Sequence, residues 1–307
     1  MKFGKKELLG VDIGSRSVKL VKLIRPNGGK PRLDACVLLE IQKSSPNFVP
    51  AFHDALEQHN LLGLSAAACI DDPGLRTAKL ELPAMPEGDL RDAVRWKMRD
   101  AVEGSVDEYS VAHSIIDETV AAGTRRLVVA AFALKRQEVA ERISLLSRVG
   151  LKPVVVEPSI VSLAACLDCV YPSADHFVGG VDIGGDAAQM VIIGKGKFYF
   201  SRNLPGVALN TAETDVTPFI KKLAVEVQTT LDTFSVSFNV EKVHRLYLSG
   251  GGAGVPGLTD YLTTNLAVPT EILNPFVGIE VPPGMEKIVK AIPFVYGQAV
   301  ALALMNG

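Results

Sequence analysis

The sequence contains few of the residues that build a reactive site by themselves: four cysteines, five histidines and one tryptophan among 307 residues. The histidines are scattered, and neither an H-E-x-x-H nor a G-x-S-x-G motif occurs, so no metalloprotease or serine hydrolase centre is indicated. Cys166 and Cys169 lie three positions apart, whereas Cys36 and Cys69 are isolated. A zinc site would need two more ligands at motif spacing, so we expect four buried, reduced thiols.

The chain also lacks an excess of charge of one sign and a long apolar run. Lys and Arg number 32 against 34 Asp and Glu, a formal net charge of −2 that argues against a nucleic-acid-binding surface. Residues 1–9 include basic residues but no apolar core of a signal peptide. The longest late apolar run, AIPFVYGQAVALALM, is too short to span a bilayer and contains Gln298. We therefore expect a cytoplasmic protein whose last apolar segment is a buried helix.

What the sequence does contain is a repeated phrase. LLGVDIGSRSVKLVKL, at residues 8–23, and FVGGVDIGGDAAQMVIIG, at residues 177–194, each read as a strand, a tight turn and a second strand. A buried strand that ends in Asp and turns through Gly aims a carboxylate and backbone N–H groups at an anion or a metal-bound anion. The alternative is an ordinary hairpin with a polar tip. Because the Asp-Ile-Gly triplets begin at Asp12 and Asp182, the repeat predicts two similar domains, each opening with a hairpin.

A glycine run provides a third loop. LYLSGGGAGVPGL predicts a strand that leads into Gly250–Gly252 and a helix that begins near Pro256. Glycines let a bulky ligand approach the backbone, and a helix N-terminus favours negative charge. The G-x-G-x-x-G fingerprint matches only loosely, and the acidic partner of a dinucleotide fold is not evident. All three loops can face one cleft.

The remaining patterns predict an α/β protein. Each half has three leading strands followed by alternating helices and strands, which is typical of a mixed sheet with helices on its faces. Hydrophobic residues make up 48% of the chain and its length suits about two domains. We place the first domain at 1–175, with an inserted subdomain at about 84–134, and the second domain at 176–307.

The order of these loops resembles the actin-like ATPase fold of actin, heat-shock chaperones, sugar kinases and FtsA, in which two related RNase H-like domains enclose a nucleotide cleft. In detail the chain resembles the PilM family, the cytoplasmic actin-like proteins of type IV pilus assembly. Cytoplasmic domains of related secretion proteins and MshI-type pilus proteins are also similar. The stretches that carry the resemblance are LLGVDIGSRSVKLVKL, LRDAVRWKM, SRVGLKPVVVEP, VDIGG, LYLSGGGAGVPGLTDYL and ILNPF.

The resemblance implies a site for ATP and Mg²⁺. Asp12 and Asp182 would face the Mg²⁺-bound phosphates through water. The second loop departs from the family, because Asp186-Ala187-Ala188 stands where Thr or Ser is usual, and a small helical subdomain is missing between Gly206 and Thr217. These departures predict a reduced second domain, weak ATP binding and little or no hydrolysis. The phosphates would be held by Gly14, Ser15, Ser17, Lys19, Gly184 and Gly185, and the nucleoside would lie against Gly250, Gly251 and Gly252.

The resemblance also implies a partner, the N-terminal cytoplasmic peptide of a PilN-like single-span membrane protein, which would hold the chain at the inner membrane beside other platform components. The helix LRDAVRWKMRD presents Trp96 away from its apolar face, between Arg95 and Arg99, as an anchor for such a peptide. The strands YSVAHSIIDE and RRLVVAAFA would complete the groove. Alternatively, this helix is a solvated basic helix whose Trp96 packs on a neighbouring strand. Two functions remain open: an adaptor, or a working ATPase or sugar-type kinase.

Overall fold

The computed structural model describes residues 8–25, 29–121, 123–172, 176–208, 215–240 and 242–305. The strands are β1 (Leu9–Ile13), β2 (Ser17–Ile24), β3 (Arg32–Glu40), β4 (Ser65–Ile70), β5 (Arg76–Pro83), β6 (Tyr109–Ala121), β7 (Thr124–Lys135), β8 (Lys152–Pro158), β9 (Phe177–Ile183), β10 (Ala188–Gly194), β11 (Lys197–Leu204), β12 (Arg245–Ser249) and β13 (Thr270–Ile272). The helices are α1 (Phe48–Gln58), α2 (Glu87–Lys97), α3 (Arg136–Arg148), α4 (Ser159–Val170), α5 (Thr217–Phe238), α6 (Leu258–Leu266), α7 (Glu286–Ala291) and α8 (Gly297–Leu304).

Two five-stranded sheets share one layout. The first has the order β3-β2-β1-β4-β8 and the second the order β11-β10-β9-β12-β13. In each sheet a central strand pairs antiparallel with the next strand of the chain and parallel with a later one: β1 with β2 and β4, β9 with β10 and β12. The expected mixed α/β architecture is therefore present in both halves, and the repeated phrase lies on the two central strands.

The repeat is longer than the triplet, because Gly-Val-Asp-Ile-Gly occurs at 10–14 and at 180–184. Its first glycine lies where a helix crosses the strand. A Cβ atom on Gly10 would lie 1.9 Å from the carbonyl oxygen of Ala299 in α8, and one on Gly180 would lie 2.6 Å from Leu167 Cδ1 in α4. Glycine at these positions lets the helix backbone approach the sheet closely.

The two helices α4 and α8 connect the halves. α4 lies before the second sheet in the chain, yet it packs on residues of that sheet such as Val178 and Val191. α8 ends the second half, yet Ala299 and Val300 pack against Val21 of the first sheet. The division expected between residues 175 and 176 borders residues 173–175, which lie outside the described part. Residues 1–7 and 209–214 also lie outside the described part. The first range belongs to the segment that was searched for a signal peptide, and the second to the stretch where a helical subdomain is missing.

A third, three-stranded sheet of order β5-β7-β6 interrupts the first half. The sequence placed the start of this insert near residue 84, but β5 pairs with β7 over its whole length, so the unit begins at Arg76. One face of the sheet packs on α2. The other face packs on the second half, where Phe132 meets Phe198 with ring centroids 4.8 Å apart.

Burial corrects two further expectations. Residues 127–134 of β7 are all buried, because the strand is central and covered on both faces, so this strand cannot line an open peptide groove. Cys169 is exposed, whereas Cys36, Cys69 and Cys166 are buried as expected. The helix after the glycine run begins at Leu258, and a 3-10 turn over Gly251–Gly254 precedes it. α8 is buried as expected, and no helix within the described ranges is long and apolar enough to cross a membrane.

Candidate functional site

A cleft of about 440 Å³ lies where the two central strands end. The turns after β1 and β9 and the loop after β12 all line it, because the same ends of the corresponding strands converge there. The cleft brings together every residue that the sequence proposed for nucleotide binding: Asp12, Gly14, Ser15, Ser17, Lys19, Asp182, Gly184, Gly185, Gly250, Gly251 and Gly252.

In the first hairpin the aspartate is paired with a cation. Lys19 stands directly opposite Asp12 in the β1–β2 register, and its Nζ lies 3.1 Å from Asp12 Oδ2. The thiol of Cys69 donates a weak hydrogen bond to Asp12 Oδ1 over 3.6 Å. Burial lowers the pKa of Lys19, but the charges of Asp12 and Asp182 outweigh burial, and the net pKa is raised. Lys19 therefore stays protonated at neutral pH.

In the second hairpin the corresponding aspartate has no such cation. Gln189 stands opposite Asp182 in the β9–β10 register, and its Nε2 lies 3.4 Å from Asp182 Oδ2 and donates to Ser159 Oγ over 2.7 Å. Within the described chain, Asp182 forms no ion pair. Burial, followed by the charges of Asp12 and Asp71, raises the pKa of Asp182 to about 7.

The tips of the two hairpins touch. The guanidinium of Arg16 donates from Nη2 to the carbonyl oxygen of Gly185 over 3.4 Å. A Cβ atom at Gly185 would lie 2.9 Å from both Arg16 Nε and Ser15 Oγ. Glycine at this position therefore allows the tips to meet. Asp186 lines the cleft beside them, so the departure of the second loop from the family lies inside the candidate site.

The three glycines after β12 have different surroundings. Gly250 has φ of +80°, and a Cβ there would lie 2.5 Å from the carbonyl oxygen of Ile183. A Cβ on Gly252 would lie 2.2 Å from Ile183 Cγ2, whereas one on Gly251 would meet no heavy atom within 4 Å. Gly250 and Gly252 thus allow the loop to pack on the second hairpin. Gly251 leaves open space that a ligand can occupy.

Sequence reasoning missed four charged residues of the cleft: Arg16, Lys43, Asp71 and Arg142. Asp71 follows β4, the strand that corresponds to β12, so it occupies the position that Gly250 has in the other half. Burial, followed by the charges of Asp12 and Asp72, raises the pKa of Asp71. Arg142 lies on the same face of α3 as the buried Leu146. The signal in the sequence that could identify Arg142 is its position on the apolar face of an amphipathic helix.

The surface around Trp96 is separate from the cleft. Leu90, Val94 and Met98 are buried beneath α2, while Trp96 is 57% exposed, as its position on the helix predicts. The Nζ of Lys97 lies 5.2 Å from the Trp96 ring centroid. Of the two flanking arginines, Arg95 is held by Asp107 through an ion pair of 2.7 Å, and Arg99 is exposed. More than half of the Trp96 surface is therefore open to solvent.

The donor set of the cleft fits a metal-bound polyphosphate. Backbone N–H groups of two turns, the hydroxyls of Ser15 and Ser17 and the ammonium group of Lys19 line it beside acidic side chains. Among the described residues, no group of three or more His, Cys, Asp or Glu is arranged to hold a metal ion. A divalent cation would therefore be bound by phosphate oxygens and by water that the carboxylates orient.

Comparison with known proteins supports this fold. Residues 207–306 match the family model of the type IV pilus assembly protein PilM, and no curated protein matches the sequence. The chain in the structure of a PilM–PilN type IV pilus biogenesis complex superposes with a TM-score of 0.83 at 20% identity, over 98% of each chain.

Two more distant structures resemble the chain. The ethanolamine utilization protein EutJ of Carboxydothermus hydrogenoformans has a TM-score of 0.52 at 16% identity, over 99% of this chain and 91% of EutJ. A protein of Bacteroides thetaiotaomicron with an actin-like ATPase fold and unknown function has a TM-score of 0.50 at 12% identity, over 95% of this chain and 99% of that one. The actin-like ATPase fold expected from the sequence is confirmed.

Proposed function

We propose that this PilM-like protein is a cytoplasmic adaptor of a type IV pilus or related secretion platform. It binds the N-terminal cytoplasmic peptide of a PilN-like single-span membrane protein and is held at the inner membrane by that partner. The observation that supports the proposal is the likeness, over 98% of both chains, to a PilM that forms a complex with PilN. In this role the protein acts by binding its partners, and a nucleotide in the cleft is a bound ligand rather than a substrate.

The proposed peptide surface is the outer face of α2 in the inserted sheet. Trp96 offers an exposed aromatic group, and the exposed cations Lys97 and Arg99 are close to it in the chain, whereas Arg91 lies 4.0 Å from Glu87. Such a surface suits a peptide that has an apolar side chain next to acidic residues. Arg95 contributes less, because Asp107 already neutralises it. Since β7 is buried, only β6 of the two strands expected at the groove can line it.

The test is a titration that follows the fluorescence anisotropy of a dye-labelled synthetic peptide, the N-terminal cytoplasmic segment of a PilN-like membrane protein from the same organism. We expect Trp96→Ala to weaken binding by about 10-fold or more, the effect of losing one interface anchor. The matched control is Val236→Ala, since Val236 is 85% exposed on α5 and lies outside the proposed surface. An unchanged affinity in a folded Trp96→Ala protein would exclude this surface, and failure of the wild type to bind would exclude the adaptor role.

The proposed ligand of the cleft is ATP with Mg²⁺. Asp12 and Asp182 would orient the water shell of the ion, the two turns and Lys19 would hold the phosphates, and Gly251 leaves room for the nucleoside. We expect weak binding, because the carboxylate of Asp186 faces the same phosphates.

A titration with a fluorescent ATP analogue, with and without Mg²⁺, tests this part, and an assay of phosphate release separates a ligand from a substrate. We expect Mg²⁺-dependent binding that Asp12→Ala removes, and phosphate release no faster than in that variant. Phosphate release or transfer to a sugar that depends on Asp12 would instead favour the ATPase or kinase alternative.

A further inference from the structure

Arg142 is a buried cation that the adaptor role does not explain. It lies in the middle of α3 on the apolar face, next to Leu146, and only 6% of its surface is exposed. It also lines the cleft, beside Asp71. An arginine that served only for solubility would lie on the exposed face of the helix, where Arg148 lies.

The guanidinium group has unused hydrogen-bonding capacity. Its Nη1 atom is buried and has no hydrogen-bond partner among the residues that the structure describes. No described carboxylate lies within ion-pair distance of it, and Asp12 and Asp71 act on it only through longer-range charge. A buried charged donor without a partner is costly for a fold, so such a group points to a missing acceptor. Because Arg142 lines the cleft, a ligand bound there can be that acceptor once the guanidinium group rotates towards it.

The position of Arg142 in the fold suggests which part of a ligand it meets. β4 in the first half corresponds to β12 in the second, so the loop that begins at Asp71 corresponds to the glycine run. The hairpin turns of Asp12 and Asp182 line the same cleft as these two loops. Suppose that the nucleoside lies against the glycine run and the phosphates lie at the two hairpin turns. The last phosphoryl group would then point towards Arg142.

We propose that Arg142 binds the terminal phosphoryl group of a nucleoside triphosphate and makes the cleft prefer triphosphate over diphosphate. The proposal rests on the nucleotide site proposed above. A guanidinium group suits this task, because its planar N–H donors match two phosphate oxygens and its charge persists at every physiological pH. After the side chain rotates into the cleft, the bound phosphate would supply the acceptor that Nη1 lacks in the free chain. The adaptor would thereby distinguish ATP from ADP by binding alone, without hydrolysing either.

The test is an equilibrium titration of the full chain with Mg²⁺-ATP and with Mg²⁺-ADP. We expect the wild type to bind ATP more tightly than ADP by about 10-fold or more, the range of one charge-assisted hydrogen bond. Arg142→Gln is expected to weaken ATP binding by about 10- to 100-fold and to change ADP binding by less than about 3-fold. The matched control Arg148→Gln, on the exposed face of the same helix, is expected to change neither affinity.

The ratio of the two affinities separates ligand binding from a structural role. A variant that merely loosens α3 lowers both affinities together, and that result would overturn the proposal, as would a wild type that binds both nucleotides equally. If Arg142→Gln does not fold, Arg142→Lys replaces it: a selective loss of ATP binding supports the proposal and a parallel loss overturns it. A wild type that binds neither nucleotide ends both this proposal and the nucleotide site, whereas the peptide titration judges the adaptor role independently.

Discussion

The two copies of Gly-Val-Asp-Ile-Gly have the same backbone role and different electrostatics. Seven residues after each aspartate, at the opposing position of the hairpin, the first half has Lys19 and the second has Gln189. The tips differ in the same sense, with Arg16 in the first turn and Asp186 at the corresponding position of the second. Among the described residues, the first aspartate therefore has an ion-pair partner, Lys19, whereas the second has none.

This difference shows that the repeat preserves shape rather than charge. The pairing of strands and the close approach of α4 and α8 require the shared glycines and apolar residues. Apart from the two aspartates, the charges that would act on a ligand come from positions outside the shared phrase. The cleft is therefore asymmetric, with cations from the first half and, in the second half, a carboxyl group whose pKa is raised to about 7.

The largest expected effect separates the two equivalent glycines. Gly10→Ala would place a Cβ 1.9 Å from the carbonyl oxygen of Ala299, a backbone atom of α8, whereas Gly180→Ala would meet the end of the Leu167 side chain at 2.6 Å. Because a side chain can rotate and a helix backbone cannot, we expect losses of unfolding free energy of about 3 kcal/mol or more at Gly10 and about 1 kcal/mol at Gly180. Urea denaturation measures both. Equal losses of unfolding free energy in the two variants would contradict the expected difference between Gly10 and Gly180.

The second expected effect concerns the ion pair of the first hairpin. Lys19→Met keeps most of the side-chain volume and leaves Asp12 without a cation in a mostly buried position. We expect a loss of about 2–3 kcal/mol of unfolding free energy, since an unpaired buried charge retains its desolvation cost. Lys22→Met is the control, because its partner Asp34 is more exposed and the pair contributes at most about 1 kcal/mol. A Lys19→Met protein as stable as the control variant would show that the pair is not important for the fold.

The third expected effect is a gain of unfolding free energy, whereas the first two are losses. The pKa of Asp182 is raised to about 7 in the folded chain from an ordinary value of 3.8, so the folded state holds the proton more tightly than the unfolded state. Stability contributed by the neutral carboxyl group is therefore complete below about pH 4 and is lost as the pH rises towards 7. Asp182→Asn cannot ionise, so we expect it to stabilise the chain at pH 8 by roughly 1–3 kcal/mol, a range reduced because the cleft admits solvent.

Thermal or urea unfolding without nucleotide and in a chelator, at pH 5 and at pH 8, measures this gain. It should be larger at pH 8. Asp12→Asn under the same conditions is the contrasting variant, because it removes the partner of Lys19 and should destabilise the chain. Two asparagine variants with the same response would mean that the two hairpins are electrostatically equivalent after all.

The smallest expected effect concerns the second tip. Asp186→Ser removes a carboxylate from the cleft and restores the kind of residue that the family resemblance leads one to expect there. We expect ATP binding to improve by about 2- to 5-fold at low salt and by less at high salt, because solvent screens an exposed charge. Nucleotide titrations at two salt concentrations measure this change. An improvement that is independent of salt would point to shape rather than charge.

Much of the candidate site could be predicted from the sequence, because its loops are local. A strand, a turn and a second strand are encoded within sixteen residues at 8–23, and the glycine run follows its strand directly. The outward position of Trp96 also follows from helical spacing within one helix. Such features depend on residues that are neighbours along the chain, so periodicity is sufficient to identify them.

The sequence by itself thus determined the order of the strands, the two aspartate turns and the exposed face of α2. Only the tertiary structure decided that Asp71 and Arg142 enter the same cleft, that β5 opens the inserted sheet, and that β7 is buried between α2 and the second half. These features join residues far apart in the chain, and no local pattern records which surface a strand or helix meets. The burial of a face is set by its partner, and the partner is chosen by the packing of the whole molecule.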